Sequence, residues 1–282
     1  MSDISYLLIG TTTADLLDDR RILGGTVSYS ASIVHRFGHD IRILTSAAVD
    51  EPLNKPLYDI ADLHVVPAEH TSTFANIYTE AGRTQIVYHA CADIKVEMLP
   101  EAWADSHLVH LAPLVNEVDF AFASKFPDAT VLLTPQGFMR YWGDDGIVHF
   151  KRFLDNEVLE AIDILVLSKQ DIIEAPDLEY EFPKYTKHVV VTDGENGGTY
   201  YHNGEAIPYA AYPVKETDPT GAGDVFASSL LASLPLLNND MIAALKVAAR
   251  MAAMAVTVKG AEITFTQADI QRVIQEAQEN ND

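Results

Sequence analysis

Residues 218–224, Asp218-Pro-Thr-Gly-Ala-Gly-Asp224, form an irregular Pro–Gly stretch that leads directly into a helix-like apolar run, residues 225–234. The first N–H groups of a helix have no intrahelical partners, and the helix dipole adds partial positive charge there. Because Gly221 and Gly223 carry no side chains, a phosphate can approach those N–H groups closely. The stretch therefore predicts a phosphate-binding turn that ends in a carboxylate.

A carboxylate beside an anion site needs a reason, and Asp224 has one if it removes a proton from a hydroxyl that attacks the phosphate. The N–H groups of Gly221, Ala222 and Gly223 would then stabilise the phosphate oxygens in the transition state. The alternative is a plain turn with Thr220 as the helix N-cap and Asp224 as a favourable first-turn acid.

Other phosphate motifs fit this stretch less well. A dinucleotide-binding loop needs a third glycine three residues after Gly223, where this chain has Phe226. A P-loop needs a Gly-Lys pair, which the sequence lacks. Phosphoryl transfer is therefore favoured over hydride transfer, and an NAD-dependent oxidoreductase is disfavoured.

The 218–224 stretch resembles the signature of the ribokinase-like (PfkB) sugar kinases. Three further motifs of that family follow the same chain order: Gly24-Gly25 before a helix, Thr192-Asp193-Gly194 after a late strand, and residues 255–261 near the end. The resemblance thus covers nearly the whole chain. Thr26, Ser28 and the run at residues 190–195 are most similar to the inositol kinase-like branch.

Short apolar runs alternate with helix-like segments along most of the chain. The runs are residues 6–9, 41–45, 108–111, 130–134, 164–167 and 189–192, with helices predicted at residues 26–37, 117–126, 151–161 and 241–258. Such alternation is typical of right-handed βαβ units. We expect one α/β domain, residues 1–282, with a three-layer, doubly wound, mostly parallel sheet of the ribokinase-like kind.

Two β-rich runs, residues 71–78 and 84–91, flank a turn at residues 81–83 and predict a hairpin. We assign residues 70–92 to a small, reduced β lid that would exclude water from the acceptor. The alternative is an ordinary hairpin at the edge of the main sheet. Only eight residues separate Asp15 from Gly24, so we expect the second lid hairpin of the family to be missing.

The resemblance implies an acceptor site near the N-terminus. Asp15, expected in a polar loop after the first strand, matches an acid that binds sugar hydroxyls; the alternative is a loop acid that caps a turn. Gly24, Gly25 and Thr26 match the sugar loop. Thr26 and Tyr29 stand where the family carries Lys and Asn, which argues against a furanose such as ribose.

Ligands of parallel sheets bind beyond the carboxyl ends of the strands. Gln136 and Arg140 follow such a strand, and the Arg140 guanidinium would offset phosphate charge there, although a solvated loop arginine is the alternative. Ser168 and Asp171 replace the Asn and Glu of the family's Asn-x-x-Glu motif. Because Asp is one methylene shorter than Glu, we expect a water-mediated contact to Mg²⁺.

The remaining site residues are assigned by the resemblance to the phosphoryl donor and its ions. Those for the nucleotide are Ser168, Thr192, Gly194, Thr220, Lys259 and Gly260; those for metal are Asp171 and Asp218. ATP and Mg²⁺ are the implied cofactors, and a monovalent cation beside Asp218 remains open. Thr192-Asp193-Gly194 is equally compatible with a plain hairpin turn.

The composition limits the partners. With 19 Lys and Arg against 41 Asp and Glu, the formal charge is −22, so we expect no binding to nucleic acid or anionic membranes. Lys246 and Arg250 interrupt the most apolar long stretch, which favours a buried helix over a membrane span. The single cysteine, Cys91, and the lack of a signal pattern favour a cytoplasmic protein.

The sequence therefore predicts an ATP-dependent phosphotransferase that acts on a hydroxyl of a sugar, polyol or nucleoside, with Asp224 as general base. The alternative is a catalytically weak nucleotide- or sugar-binding member of the same fold, because the Ser168/Asp171 motif is altered and the lid is expected to be reduced. Relatives often dimerise through the lid, so a homodimer stays open.

Overall fold

The computed structural model describes residues 4–17, 20–79, 82–258 and 265–279. The strands in chain order are β1 (Ser5–Ile9), β2 (Thr13–Leu17), β3 (Arg20–Gly24), β4 (Asp40–Ala48), β5 (Asp62–Ala68), β6 (Ser72–Thr79), β7 (Gly82–His89), β8 (Leu108–Leu111), β9 (Thr130–Leu133), β10 (Arg140–Tyr141), β11 (His149–Phe150), β12 (Ile164–Ser168), β13 (His188–Thr192), β14 (Gly198–His202) and β15 (Glu205–Tyr209). The helices are α1 (Thr26–Phe37), α2 (Lys55–Tyr58), α3 (Asn156–Ala161), α4 (Leu178–Glu181), α5 (Ala222–Ser233), α6 (Met241–Ala255) and α7 (Gln267–Glu279).

A nine-stranded sheet in the order β15-β14-β13-β12-β9-β8-β1-β4-β5 forms the centre of the molecule. Every pairing from β13 to β5 is parallel, whereas β14 and β15 add an antiparallel edge. The carboxyl ends of β1, β8, β9, β12 and β13 therefore meet along one edge of the sheet. This is the edge at which ligands of such sheets bind.

The sheet is covered on both faces, which explains why its strands read as continuous apolar runs. Within β1, Tyr6 and Leu8 belong to the apolar cluster shared with α1, α5, α6 and α7. Leu7 and Ile9 point the other way, into the cluster that includes residues of α3 and α4. The predicted three-layer, mostly parallel α/β fold is confirmed.

Two predicted helices are shorter than the sequence pattern indicated. Within residues 117–126 only a 3₁₀ turn forms, Phe120–Ser124, where the Asp119 side chain accepts a hydrogen bond from the Ala121 N–H. Glu117 cannot start a helix there because its carboxylate is bound to loop N–H groups, as described below. Within residues 151–161 only α3 is helical, and it begins after the Asp155 cap.

A separate four-stranded sheet, β3-β2-β6-β7, stands beside the main sheet, and we call it the small sheet. The predicted hairpin of residues 71–91 is present as β6 and β7, so the alternative of a hairpin on the main sheet is wrong. The expected absence of a hairpin between Asp15 and Gly24 is also wrong, because β2 and β3 pair antiparallel. Asp15 consequently lies within a strand and not in a loop.

The length and apolar character of the described helices were compared with those of a membrane span. None of them is long and apolar enough to cross a bilayer.

Candidate active site

The 218–224 turn leads into α5 at the carboxyl edge of the main sheet. Gly221 is the N-cap of α5 and adopts the left-handed conformation, with φ 79°. The Thr220 N–H donates to the Asp218 carboxylate at 2.9 Å, so Thr220 does not cap the helix with its own side chain. The start of the turn is held by the end of α6, because the Thr217 N–H donates to the Val256 carbonyl at 2.7 Å.

The amides of this turn are not equally available. The Ala222 N–H donates to the Pro219 carbonyl at 3.2 Å, which corrects the prediction that Ala222 belongs to the anion hole. The N–H groups of Gly221, Gly223 and Asp224 have no acceptor among the described residues. A Cβ on Gly223 would meet nothing within 4 Å, so the turn faces open space at that point. The three N–H groups that are free are therefore those of Gly221, Gly223 and Asp224, and Asp224 takes the place that was predicted for Ala222.

Asp224 lies in the first turn of α5 and is partly buried. Burial raises the pKa of its carboxyl to about 6; the nearby charge of Asp171 adds to the rise, whereas a hydrogen bond from the Thr26 side chain and the charge of Arg140 oppose it. Thr26 is the first residue of α1. It was expected to contact substrate, but here it holds the carboxylate of Asp224. A carboxylate with this pKa is largely ionised at neutral pH and still basic enough to accept a proton.

Asp15 brings a second carboxylate to the site from β2 of the small sheet. The Thr13 hydroxyl donates to one carboxylate oxygen at 2.8 Å. The other oxygen lies so close to Gly24 that a Cβ there would be only 2.3 Å away. Gly25 has φ 87° and begins the turn into α1. The paired glycines thus let a carboxylate of the small sheet and the start of α1 lie side by side.

Asp171 is turned back onto the end of β12. One of its oxygens accepts hydrogen bonds from the Ser168 N–H (2.8 Å) and hydroxyl (2.9 Å). The other accepts from the Gln136 side-chain amide at 3.3 Å. The structure therefore brings Ser168, Asp171 and Gln136 together. Gln136, which was predicted to bind the substrate, contacts Asp171, which was predicted to bind the metal.

Arg140 is partly buried and lies in β10, next to a segment that is bound to the small sheet. The segment between β10 and β11 is bound to β7: the Val87 N–H donates to the Gly146 carbonyl at 2.8 Å, and the Val148 N–H donates to the Gln85 carbonyl at 3.0 Å. The Asn116 side chain also donates to the Arg140 carbonyl, at 2.9 Å. Because Arg140 is partly buried, the alternative of a fully solvated loop arginine does not describe it.

The predicted nucleotide residues follow neighbouring strand ends. Ser168 and Thr192 are register partners across β12 and β13. Gly194, φ 54°, is exposed and would meet nothing within 4 Å if it carried a Cβ. Lys169 and Asp193 form an ion pair at 3.0 Å beside them. The remaining two predicted nucleotide residues, Lys259 and Gly260, lie outside the described residues.

Two features of the site were missed by sequence reasoning. Glu117 is fully buried and its carboxylate accepts hydrogen bonds from the N–H groups of Thr11, Leu114 and Val115, which join the loops after β1 and β8. Asn76 and Gln85 form a side-chain hydrogen bond of 3.2 Å across β6 and β7. No motif marks either feature, because each depends on pairing between distant segments.

The register of the small sheet shows which way the amide pair faces. Asp15 is the partner of Phe74, Asn76 lies two residues further along β6, and Gln85 is the partner of Asn76. Side chains two residues apart on a strand share a face. Asn76 and Gln85 therefore share the face of Asp15, whose charge acts on the pKa of Asp224.

The site fits a divalent cation only if the ion brings ligands of its own. No group of three or more His, Cys, Asp or Glu is arranged to hold a metal within the described part of the chain. Mg²⁺ commonly keeps several waters and binds one or two carboxylates together with substrate phosphates. Asp171 suits the outer role in such a site, since both its oxygens already accept hydrogen bonds.

A turn with unpaired N–H groups at a helix N-terminus, an adjacent carboxylate with a raised pKa and a small sheet bearing polar side chains are features that phosphoryl transfer requires. Comparison with known proteins agrees. Residues 163–268 match the family described as pfkB family carbohydrate kinase. The chain is also similar to inositol 3-kinase of Zea mays, with 31% identity over 105 residues; this match covers 37% of the chain and 28% of that protein.

Longer matches extend the similarity over most of the chain. Cytidine kinase of Thermococcus kodakarensis is 24% identical, with 81% of this chain and 88% of that protein covered. A pyrophosphate-dependent kinase in the ribokinase family has a similar structure, with TM-score 0.80, 17% identity and coverage of 94% and 99%. A putative ribokinase II from E. coli in complex with ATP and Mg²⁺ gives TM-score 0.69, 21% identity and coverage of 97% and 99%.

Residues 163–268 are thus similar to the PfkB carbohydrate kinases, and the fold of the chain is that of the ribokinase family. The inositol 3-kinase match spans less than a third of that relative's length.

Proposed function

We propose that this protein transfers the γ-phosphoryl group of ATP to a hydroxyl of a sugar or polyol. The observation that carries the proposal is the position of Asp224, whose pKa is raised to about 6, directly after amides that have no acceptor among the described residues. Few structural roles need both a basic carboxylate and free donors at one helix terminus. Phosphoryl transfer needs both.

In the proposed reaction Asp224 accepts the proton of the acceptor hydroxyl. The alcohol oxygen then forms a bond to the γ-phosphorus, and the bond between that phosphorus and the bridging oxygen breaks to release ADP. The N–H groups of Gly221, Gly223 and Asp224 stabilise the charge on the equatorial phosphate oxygens. Arg140, whose charge reaches Asp224, offsets part of the acidic surroundings.

Mg²⁺ would arrive with the donor phosphates, held through water by Asp171, and would neutralise their charge. Asp218 lies beside the end of α6, because its N–H donates to the Val256 carbonyl at 3.2 Å. A monovalent cation held by Asp218 and the residues after α6 remains part of the proposal. It predicts faster turnover in K⁺ than in a large organic cation such as choline.

The acceptor is proposed to bind between the small sheet and α1, where Asp15, Asn76 and Gln85 offer a carboxylate and two amides. Such groups suit several hydroxyls on one small uncharged ring. The matches to inositol and cytidine kinases support this class of acceptor without selecting one compound. Cyclitols are the first candidates, because Thr26 and Tyr29 replace the residues expected for a furanose site.

The proposal is tested by measuring phosphate-ester formation with ³¹P NMR over a panel of cyclitols, hexoses, pentoses and nucleosides. Each acceptor is offered ATP and, separately, pyrophosphate, because one structural relative is named as pyrophosphate-dependent. We expect ester formation with ATP and at least one polyol. No ester with either donor on any acceptor would remove the proposal.

A second candidate function is a binding protein that has lost catalysis. Its support is the Asp171 carboxylate, both of whose oxygens already accept hydrogen bonds from Ser168 and Gln136. This candidate predicts that ATP and an acceptor bind by calorimetry while no ester forms. The two candidates are separated by the same panel when binding and turnover are measured together.

Location and assembly follow from weaker observations. We propose a reducing compartment such as the cytoplasm, since the only cysteine, Cys91, cannot form an intramolecular disulfide. A homodimer would use the outer face of the small sheet, where Ile77 is 43% exposed. Light scattering at several protein concentrations measures the mass directly.

A further inference from the structure

A pocket of about 360 Å³ lies at the end of β4, beside the edge strand β5 of the main sheet. It is lined by the loop after β4, by α2 and by Val65 and Pro67 of β5. Its volume is within the range of small-molecule sites. None of the residues that line it belongs to the candidate active site. The pocket is therefore large enough for a small ring compound and lies outside the mechanism proposed above.

Asn54 lines this pocket and carries an unpaired polar atom. The residue is only 2% exposed, and its side-chain oxygen has no hydrogen-bond partner among the described residues. Buried polar groups are usually paired, because leaving one unpaired is unfavourable. Two partly buried asparagines follow this rule: the Asn76 oxygen accepts from Gln85 at 3.2 Å, and the Asn116 amide donates to the Arg140 carbonyl. The exception at Asn54 indicates a partner from outside the chain.

The part of the pocket that carries Asn54 is held in place by Glu51. The Glu51 carboxylate accepts hydrogen bonds from the Leu53 N–H at 3.3 Å, from the Thr71 hydroxyl at 2.6 Å and from the Arg21 guanidinium at 2.6 Å. The Asn54 N–H donates to the Glu51 carbonyl at 3.2 Å. Because these bonds order the loop without a ligand, binding does not have to order it.

The charges around the pocket balance one another. Asp50 and Lys55 are both exposed, line the pocket and carry opposite charges. The Glu51 carboxylate is paired with the Arg21 guanidinium. The formal charge of −22 on the whole chain disfavours an anion. The pocket therefore suits an uncharged ligand.

The surface of the pocket combines apolar walls with a few polar groups. Val49, Val65 and Pro67 supply apolar surface, and Tyr58, which is 59% exposed, adds an aromatic ring. The Asn54 amide has both a donor and an acceptor end. Sugar and cyclitol rings match this combination, because they have apolar C–H faces and hydroxyl groups that both donate and accept.

We propose that this pocket is a second, non-catalytic binding site for an uncharged polyhydroxylated ring, a sugar or a cyclitol. Asn54 forms a hydrogen bond with a ring hydroxyl inside the pocket, and Asp50 and Lys55 bind hydroxyls at its open side. The Tyr58 ring packs against a C–H face. The proposal does not depend on the proposed function, since no group of the phosphoryl-transfer site takes part.

The test is calorimetric titration of the full chain with glucose, ribose and myo-inositol as separate probes. We expect at least one probe to bind, with its affinity about tenfold lower in Asn54→Leu and about threefold lower in Tyr58→Ala. The matched control is Asn156→Leu, which replaces an exposed asparagine on α3 and should leave the affinity unchanged. Tyr58→Ala alters an exposed side chain and carries the test if Asn54→Leu does not fold.

Asp15→Asn separates this site from the acceptor site, because it alters the acceptor site alone. A probe in the pocket should keep its affinity in Asp15→Asn and lose it in Asn54→Leu. The proposal is overturned if no probe binds the wild-type chain, or if every probe keeps its affinity in both pocket variants. A probe that responds only to Asp15→Asn occupies the acceptor site and also overturns it. Ester formation, measured separately, tests the proposed function and is expected to be unchanged in Asn54→Leu.

Discussion

Two buried acids at the same edge of the sheet have opposite surroundings. Glu117 is 2% exposed, and its two oxygens accept hydrogen bonds from the N–H groups of Thr11, Leu114 and Val115. Asp224 is less buried and receives a hydrogen bond from the Thr26 side chain. One carboxylate is thus enclosed by backbone donors, and the other faces a turn with donors of its own left free.

Burial raises the pKa of both acids, so a raised pKa alone does not distinguish a structural acid from a chemical one. The hydrogen bonds around each carboxylate distinguish the two kinds of acid. The backbone donors around Glu117 counteract the effect of burial and have no room for a substrate, so this acid joins the loops after β1 and β8. Asp224 keeps access to a ligand, and its pKa of about 6 suits a general base.

The largest expected effect is on catalysis by Asp224→Asn. We expect kcat to fall by about two to four powers of ten, while the affinity for the donor stays nearly constant, because the base is lost and the amides remain. Steady-state kinetics and donor calorimetry measure the two quantities. Glu216→Gln, which removes an exposed acid nearby, is the control and should keep full activity. Unchanged turnover in Asp224→Asn would show that Asp224 is not the base.

Glu117→Gln should affect folding more than chemistry. The amide would direct its NH₂ group at backbone donors that now bind a carboxylate, so we expect a loss of about 3 kcal/mol in the free energy of unfolding. Urea denaturation measures it. The control is Glu97→Gln at an exposed position, where a change within about 0.5 kcal/mol is expected. A loss below about 1 kcal/mol in Glu117→Gln would contradict the structural role.

Asp224→Asn should also stabilise the protein at neutral pH. The folded pKa of about 6 lies above the ordinary value of 3.8, so the folded state holds this proton more tightly and stability falls as the pH rises between these values. Replacing the ionised acid should therefore add about 1–3 kcal/mol near pH 8, and the gain should shrink on acidification through pH 6 towards pH 4. Denaturation of both proteins across this range is the measurement. A gain that grows on acidification would reverse the assigned sign.

The pH profile of turnover gives a smaller but more specific effect. Because Asp224 must be ionised to act as base, kcat/KM should fall about tenfold for each pH unit below about 6. Thr26→Val removes the hydrogen bond that lowers the pKa of Asp224, so the acid limb should move to higher pH. A limb that does not respond to this substitution belongs to another group.

The smallest expected effect concerns Glu51. Its carboxylate accepts a hydrogen bond from a backbone N–H, as that of Glu117 does, and from a threonine side chain, as that of Asp224 does. Burial alone would raise its pKa, but hydrogen bonds from Thr71 (2.6 Å) and Arg21 (2.6 Å) outweigh burial and lower it. These bonds connect the loop after β4 to β3 of the small sheet and to the residue before β6. Because Arg21 is half-exposed, Arg21→Met should cost only about 0.5–1 kcal/mol in the free energy of unfolding. A loss above about 2 kcal/mol would mean that the pair acts as a buried one.

Prediction from sequence was most successful where the signal is local. The strands at residues 108–111 and 164–167 and the start of α1 at Thr26 follow from apolar runs and paired glycines, and the structure has them. The helix expected at residues 117–126 failed because Glu117 is drawn into loop N–H groups from two other segments. The hairpin of β2 and β3 was missed because only eight residues separate Asp15 from Gly24, which is shorter than the family's lid hairpin.

The candidate site shows the same division. The positions of Gly221 and Asp224 at the start of α5 were predictable, because adjacent residues set a helix terminus and its free N–H groups. The engagement of the Ala222 N–H by Pro219 was not, since it depends on the detailed path of the turn. The engagement of Asp171 by Ser168 and Gln136 likewise required the strand ends to be placed.

The amino-acid sequence alone determined the α/β class, the positions of the main strands along the chain and the Pro–Gly turn before α5, because each follows from hydrophobic periodicity or from the conformational freedom of a few neighbouring residues. Only the tertiary structure decided which carboxylate is enclosed and which stays accessible. Burial and charge at these sites are sums over residues far apart in the chain, and such sums exist only once the chain is folded.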